Sequence, residues 1–152
     1  MYLRVLTVLA ASTTGLVAAS LIYYSFLQDS MAFRGGPNSI LAGRLLSMVS
    51  IIWFGFVVYQ LYLNQLPTLV TASIGMLITK LLWDIADGLR YAGRIYEALA
   101  NLIDQPALAE NFIKQAFDHR ETQDLREVAL TMFSPDSRQI AVLEELLTQH
   151  QD

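Results

Sequence analysis

One group of basic residues has the composition of an anion-binding site. It contains a lysine, a histidine and two arginines in the C-terminal half of the chain: Lys114, His119, Arg120 and Arg126. Such side chains form charge-assisted hydrogen bonds with phosphate, and a helix that begins beside them adds its free N–H groups. The spacing therefore predicts a ligand-binding site for a phosphate-bearing small molecule. The nearby acids Asp118, Glu121, Asp124 and Glu127 leave an alternative, in which they pair with the same cations on the helix surface.

The sequence contains no arrangement of residues typical of an enzyme active site. It has no cysteine, and His119 and His150 lack the spacing of metal ligands. Walker A, zinc-protease and nucleophile-elbow motifs do not occur. Asp84 and Asp87 share a helical face, but the CDP-alcohol transferase pattern D-G-x-x-A-R is not completed after Asp87-Gly88. We therefore expect a solvated face there, and no catalytic residue, metal or cofactor.

Composition divides the chain into an apolar part and a polar part that must position these residues. The whole chain is 54% apolar and 16% charged, against about 45–50% and about 25% in ordinary soluble domains. Residues 1–83 contain four basic residues and one acid, whereas residues 84–152 contain six basic residues and thirteen acids. The first part is typical of a membrane domain. The acidity of the second argues against binding to duplex nucleic acid, which needs a basic face.

Three apolar segments are long enough to cross a bilayer. The predicted spans cover residues 5–27, 40–63 and 67–83, since about 20 apolar residues match a hydrocarbon core of about 30 Å. A signal peptide is the alternative for the first segment, and a re-entrant hairpin is the alternative for the third. In the first span Ala11, Gly15 and Ala19 recur every fourth residue, which predicts a face for close helix packing.

The basic residues that flank the spans predict an orientation. One side of the membrane receives the first loop and the C-terminal region, and it carries Arg34, Arg44, Lys80, Arg90 and Arg94. The other side receives only Arg4. Because basic residues are enriched on the cytoplasmic side, we expect an inner-membrane protein whose N-terminus is outside and whose C-terminal region is cytoplasmic.

The third span is predicted to continue as a stalk helix over residues 84–104, because no proline follows until Pro106. Apolar positions repeat there with the 3-4 spacing of a coiled-coil seam: Leu82, Ile85, Leu89, Ala92, Tyr96, Leu99 and Ile103. This pattern predicts a homo-oligomer, and packing on the chain's own C-terminal module is the alternative. The same register, extended into the membrane, predicts a pore lining: Thr68, Thr71, Gly75 and Ile78. Ordinary helix packing is the alternative for this second set.

Residues 105–152 are predicted to form a small module of three amphipathic helices, over about 106–117, 122–133 and 135–149. Ser134-Pro135-Asp136 is predicted to start the last of them. The fold class is therefore all-α, with three transmembrane helices, a coiled-coil-like stalk and a cytosolic helical module. So short a module does not bury a robust core alone, and we expect it to pack on the stalk or on copies of itself.

The architecture resembles two families of small membrane proteins. A small apolar membrane domain joined to a cytosolic helical module is similar to the CRISPR-associated membrane effectors that sense cyclic oligoadenylate. That resemblance implies antiviral defence, a ligand site at the basic group and membrane helices that disrupt the bilayer. Three spans with this orientation also resemble the phage holins, which implies a pore that needs no ligand. A non-catalytic accessory subunit of a larger membrane complex is a third interpretation.

These patterns together predict an oligomeric integral membrane protein that perturbs the membrane or forms a pore. Its expected partners are the lipid bilayer, other copies of the chain and a phosphate-bearing small ligand.

Overall fold

The computed structural model describes residues 2–64, 66–116 and 119–150, with all side chains except those of Ala32 and His119. Every regular element in these ranges is helical, which confirms the all-α prediction. The first helical run consists of α1 (Tyr2–Ile22), a π-helical turn (Tyr23–Leu27), α2 (Gln28–Met31) and a 3-10 turn (Ala32–Arg34). The later helices are α3 (Ser39–Leu63), α4 (Thr68–Ala100), α5 (Pro106–Gln115), α6 (His119–Met132) and α7 (Arg138–Gln149).

Three helical segments are long and apolar enough to cross a membrane. They are Tyr2–Met31, Ser39–Leu63 and Thr68–Ala100. Each contains or closely matches one predicted span, and α4 runs unbroken where a re-entrant hairpin had been the alternative. Their outer faces expose large apolar side chains, Ile52 for example at 72%, as expected of surfaces that contact lipid tails.

The middle of this bundle is α4, on which α1 and α3 both pack. Ala11, Gly15 and Ala19 are buried, which confirms the predicted packing face of the first span. A Cβ atom added at Gly15 would overlap the carbonyl oxygen of Ser73 on α4. The helices therefore approach at a distance that only small residues permit.

Side-chain hydrogen bonds join α3 to α4 inside the apolar region. Ser50 Oγ donates to the carbonyl oxygen of Thr79 at 2.9 Å, and Trp53 Nε1 donates to that of Gly75 at 3.1 Å. Both donors would otherwise be unpaired away from water, at a substantial free-energy cost. These bonds therefore fix the register between the two helices.

The C-terminal module folds around the last turns of α4. Ile95 and Leu99, together with Leu102 just after the helix, are almost fully buried among side chains of the three shorter helices. The contributions from α5, α6 and α7 include Ala109, Ile113, Leu125, Ala129, Leu143 and Leu147. The module thus packs on the chain's own stalk, which supplies the core that so few residues lack by themselves.

The predicted start of the last helix is wrong by three residues. Ser134 begins a turn instead, closed by a hydrogen bond from the Ser137 N–H to the Ser134 carbonyl oxygen at 2.9 Å. Pro135 suits the second position of such a turn because its φ is fixed. The helix then begins at Arg138, and Ser137 Oγ accepts the N–H of Ile140 as the N-cap.

Candidate functional site

Two of the four predicted basic residues form separate surface ion pairs. Lys114 pairs with Glu110 one turn away, and this partner lowers the pKa of the Glu110 carboxyl. Arg126 Nε lies 2.6 Å from Glu144 Oε1 of α7. These two cations are therefore held by carboxylates on the surface, although by Glu110 and Glu144 and not by the four acids that the alternative interpretation named. The side chain of His119, the fourth member of the group, lies outside the described part of the chain.

Arg120 instead connects the module to the membrane helices. Its guanidinium pairs with Asp29 of α2, which lies 91 residues earlier in the sequence. A second polar link lies nearby, where the hydroxyl of Tyr91 on α4 donates to Asp124 Oδ2 of α6 at 3.0 Å. These two links hold α6 against the module end of the membrane domain.

A cavity of about 340 Å³ lies at this junction. It is lined by the end of the first membrane helix, by the C-terminal half of α4 and by the start of α6. Its aromatic and charged lining includes Tyr23, Tyr24, Asp87, Tyr91, Arg94 and Asp124. Asp29 and Arg120 line it as well, so the docked module forms part of its wall.

A π-helical turn and a glycine shape the cavity wall. Tyr23 begins the π turn and is 8% exposed, while Tyr24 beside it is 58% exposed. Their rings meet almost at right angles, with an interplanar angle of 83° and centroids 5.5 Å apart. A Cβ atom added at Gly88 would come within 2.6 Å of the Tyr23 hydroxyl. Gly88 thus gives Tyr23 room against α4, and single π turns inside α-helices occur often at functional sites.

The cavity has an excess of negative charge. Its lining contains four carboxylates and two guanidinium groups: Asp29, Asp87, Glu121 and Asp124, with Arg94 and Arg120. Burial raises the pKa of Asp124, and the nearby Glu127 and Asp29 add to this effect, while the Tyr91 hydrogen bond and Arg120 oppose it. Within the described ranges no three carboxylate or imidazole groups converge as metal ligands.

Asp84 departs from the predicted solvated face. It is 8% exposed, and its Oδ1 pairs with Lys80 one turn earlier. Its Oδ2 is buried without a hydrogen-bond partner among the described residues. Asp87 does remain open, with a side chain 72% exposed, and it pairs with Arg90. The one-turn spacing of Lys80 and Asp84 was the sequence signal for this pair.

The predicted seam is used partly within the chain. Leu99 belongs to the module core, and the Ala92 carbonyl lies so close to Gly35 that a Cβ there would overlap it. Ile103 is 38% exposed. The remaining seam residues are half-buried: Leu82, Ile85, Leu89 and Tyr96. Ala92 and Leu99 of the seam therefore pack within the chain, whereas the other seam residues keep part of their surface exposed.

The residues of the predicted pore lining also differ in how they are buried. A Cβ atom at Gly75 would come within 2.7 Å of both Val57 methyl carbons, so this position belongs to the α3–α4 contact and does not face an open axis. Thr71 Oγ1 donates back to the carbonyl oxygen of Pro67 at 3.0 Å. Thr68, Thr71 and Ile78 are half-buried on α4. Close helix packing, the alternative, therefore accounts for Gly75.

What the cavity can do follows from its own chemistry. It combines three tyrosine rings with carboxylates and guanidinium groups, at a place where two parts of the chain meet. Ligand sites are often such clefts, with a few polar groups that orient the ligand.

The chain matches no protein-family model, no curated protein and no solved structure.

Proposed function

We propose that this protein is an oligomeric membrane effector that perturbs the bilayer or forms a pore under the control of its C-terminal module. The observation that supports this best is the continuity of α4. This helix of 33 residues belongs to the membrane domain at one end and to the module core at the other. A displacement of the module therefore acts directly on the helix that α1 and α3 pack against.

The cavity is the proposed control site. A ligand there contacts the end of the first membrane helix, α4 and α6 together, so its binding depends on how these elements are arranged. A ligand shifts such an equilibrium only by its differential affinity for the two arrangements. In a ring of copies the preference of each site adds to that of the others. The proposed contact between copies is the part of the seam nearest the membrane, where Leu82, Ile85 and Leu89 are half-buried.

In the proposed orientation the module and the cavity are cytoplasmic and the N-terminus is outside. The charge asymmetry supports this, because the first loop and the module end of the bundle carry most of the basic residues. The proposal includes no catalytic step.

The test is dye leakage from liposomes that contain the purified full-length protein. Tyr91→Phe and Asp29→Asn each remove one link between the module and the membrane helices. Loss of a hydrogen bond to a charged group should change the ratio of the two arrangements, and so the leakage rate, by about tenfold. Lys114→Ala removes an ion pair outside the cavity and should behave like the wild type.

Two outcomes would contradict this function. Leakage that none of the variants changes would favour a pore without control by the module, as in holins. No leakage above that of protein-free liposomes, for any variant, would favour an accessory subunit of a larger membrane complex.

A further inference from the structure

We infer that the cavity between the first membrane helix, α4 and α6 binds an organic ammonium group, carried by a small amine or by a phospholipid head group. This inference rests on the proposed function, because it names the class of ligand for the same control site. It replaces the phosphate ligand that the basic residues predicted from sequence.

The charge of the cavity selects a cation. Its lining contains four carboxylates and two guanidinium groups; Arg120 pairs with Asp29, and Asp87 pairs with Arg90 beside the lining. Asp124 is half-buried and accepts the Tyr91 hydroxyl on one of its oxygens. A cation beside it would offset the cost of keeping that carboxylate ionised, whereas a free phosphate would add to the excess negative charge.

The aromatic lining favours an alkylated ammonium. Tyr23 and Tyr24 form a corner, with rings at 83° and centroids 5.5 Å apart, and Tyr91 lines the same cavity. The face of a tyrosine ring attracts a cation, and groups of such rings bind quaternary ammonium ligands. The cavity therefore offers a carboxylate and aromatic rings to the same ammonium group.

An inorganic cation fits this cavity less well. Calcium and magnesium need several oxygen ligands at about 2.0–2.6 Å, and no such set converges in the residues that the structure describes. A volume of about 340 Å³ lies at the small end of ligand pockets, which run from about 300 to 1,000 Å³. The space suits a group the size of choline or ethanolamine.

Two sources could supply this group. Tyr23 and Tyr24 lie near the module end of the first apolar segment, Tyr2–Met31, where lipid head groups are expected. The cavity is also lined by α6 of the module, where a water-soluble amine can reach. The ammonium chemistry is shared, so the experiment must separate the sources.

The experiment is equilibrium dialysis of radiolabelled choline, and separately of ethanolamine, against the full-length protein in maltoside micelles. We expect saturable binding of at least one amine. The neutral choline analogue 3,3-dimethylbutan-1-ol should compete about tenfold more weakly, since it has the shape but lacks the charge. Asp124→Asn and Tyr24→Leu should each weaken binding by about tenfold. Glu145→Gln, which removes an acid of α7 outside the cavity lining, should leave binding unchanged.

A thermal melt of each variant separates loss of binding from loss of folding. Tyr24 is 58% exposed, so its replacement should leave the melting temperature unchanged even if Asp124→Asn lowers it. Added phosphatidylethanolamine, but not phosphatidylglycerol, should displace the amine if the natural source is a lipid. A lack of displacement by either lipid would identify a soluble amine.

The inference is overturned if neither amine binds, if the neutral analogue competes equally, or if Asp124→Asn and Tyr24→Leu bind like the wild type. Binding of inorganic phosphate that Arg94→Ala removes would also overturn it. If the amine binds but no variant causes dye leakage, the ammonium ligand is supported and its role in controlling leakage is contradicted. If leakage responds to Asp29→Asn but no amine binds, control by the module is supported and the ammonium ligand is contradicted.

Discussion

At the scale of single residues, Lys80 and Asp84 form a pair in unequal surroundings. The Asp84 side chain is 11% exposed, whereas that of Lys80 is 32% exposed. The two residues lie where the predicted third span ends, so the lysine can extend to the head groups while the carboxylate cannot. A charge left alone in a buried position costs far more than one that reaches water.

Removal of the two partners should therefore have unequal effects. Lys80→Met leaves a buried carboxylate alone and should lower the free energy of unfolding by about 3 kcal/mol. Asp84→Asn should lower it by only about 1 kcal/mol. Unfolding by SDS in mixed micelles, followed by circular dichroism, measures both values. Lys114→Met, which breaks an exposed pair, is the control and should match the wild type. Equal losses for Lys80→Met and Asp84→Asn would contradict this account.

Asp124 should give the protein a particular pH dependence. Burial raises its pKa above the ordinary value of 3.8, so the folded chain binds this proton more tightly than the unfolded chain. Between 3.8 and the raised value, the free energy of unfolding should therefore fall as pH increases. Asp124→Asn should lack this contribution, while the opposite one from Glu110, whose pKa is lowered, remains. The difference in stability between wild type and variant should thus change with pH through the acidic range, and a constant difference would show that Asp124 is not perturbed.

At the scale of elements, two glycines provide a matched test of helix packing. Gly15 faces α4, where an added Cβ atom would overlap the Ser73 carbonyl oxygen, whereas an added Cβ at Gly55 meets nothing within 4 Å. Gly15→Ala should lower the free energy of unfolding by about 1–3 kcal/mol through overpacking. Gly55→Ala should raise it by up to about 1 kcal/mol, because alanine favours the helix. Unfolding by SDS measures both free energies. An unchanged free energy of unfolding for Gly15→Ala would mean that α1 and α4 can move apart without loss of stability.

The helices were predictable because their signals are local. Uncharged length defines the spans, and the lack of proline between Trp83 and Pro106 predicts that α4 continues into the stalk. The start of α7 was misplaced because Ser134 and Ser137 both precede the same apolar run. Only the turn that Pro135 makes decides that the second serine caps the helix.

The cavity could not be predicted from the sequence, because no local pattern contains it. Arg120 and Asp29 are 91 residues apart, and their contact depends on how α6 docks against the first membrane helix. The basic residues near Arg120 suggested a shared site, since they are neighbours in sequence. Lys114 lies on a different helix, and Arg126 pairs with α7. Residues that are close in sequence therefore do not meet in one site here.

At the scale of the whole molecule, the predicted orientation can be tested by labelling with cysteine. The chain contains no cysteine, so an introduced cysteine is labelled without background from other cysteines of the protein. Leu66→Cys lies in the second loop and Ser134→Cys in the module, and both positions are exposed. An impermeant maleimide should label Leu66→Cys in intact cells and Ser134→Cys only after permeabilisation, because the basic residues retain the module in the cytoplasm. The reverse pattern would place the module outside.

The π-helical turn at Tyr23–Leu27 makes the cavity wall depend on a single residue of the first membrane helix. A π turn holds one residue more than the α-helical turn that it replaces. Deletion of a single residue such as Ser25 would restore a regular helix and leave every contact residue of α1 in place. Because the turn absorbs its extra residue, the segment that follows would keep its direction, whereas deletion of a residue from the regular part of α1 would rotate that segment by about 100°, the angle between successive residues of an α-helix. The corner that Tyr23 and Tyr24 form would be lost with the π turn, so the cavity would lose part of its wall while Asp29 stayed in register with Arg120.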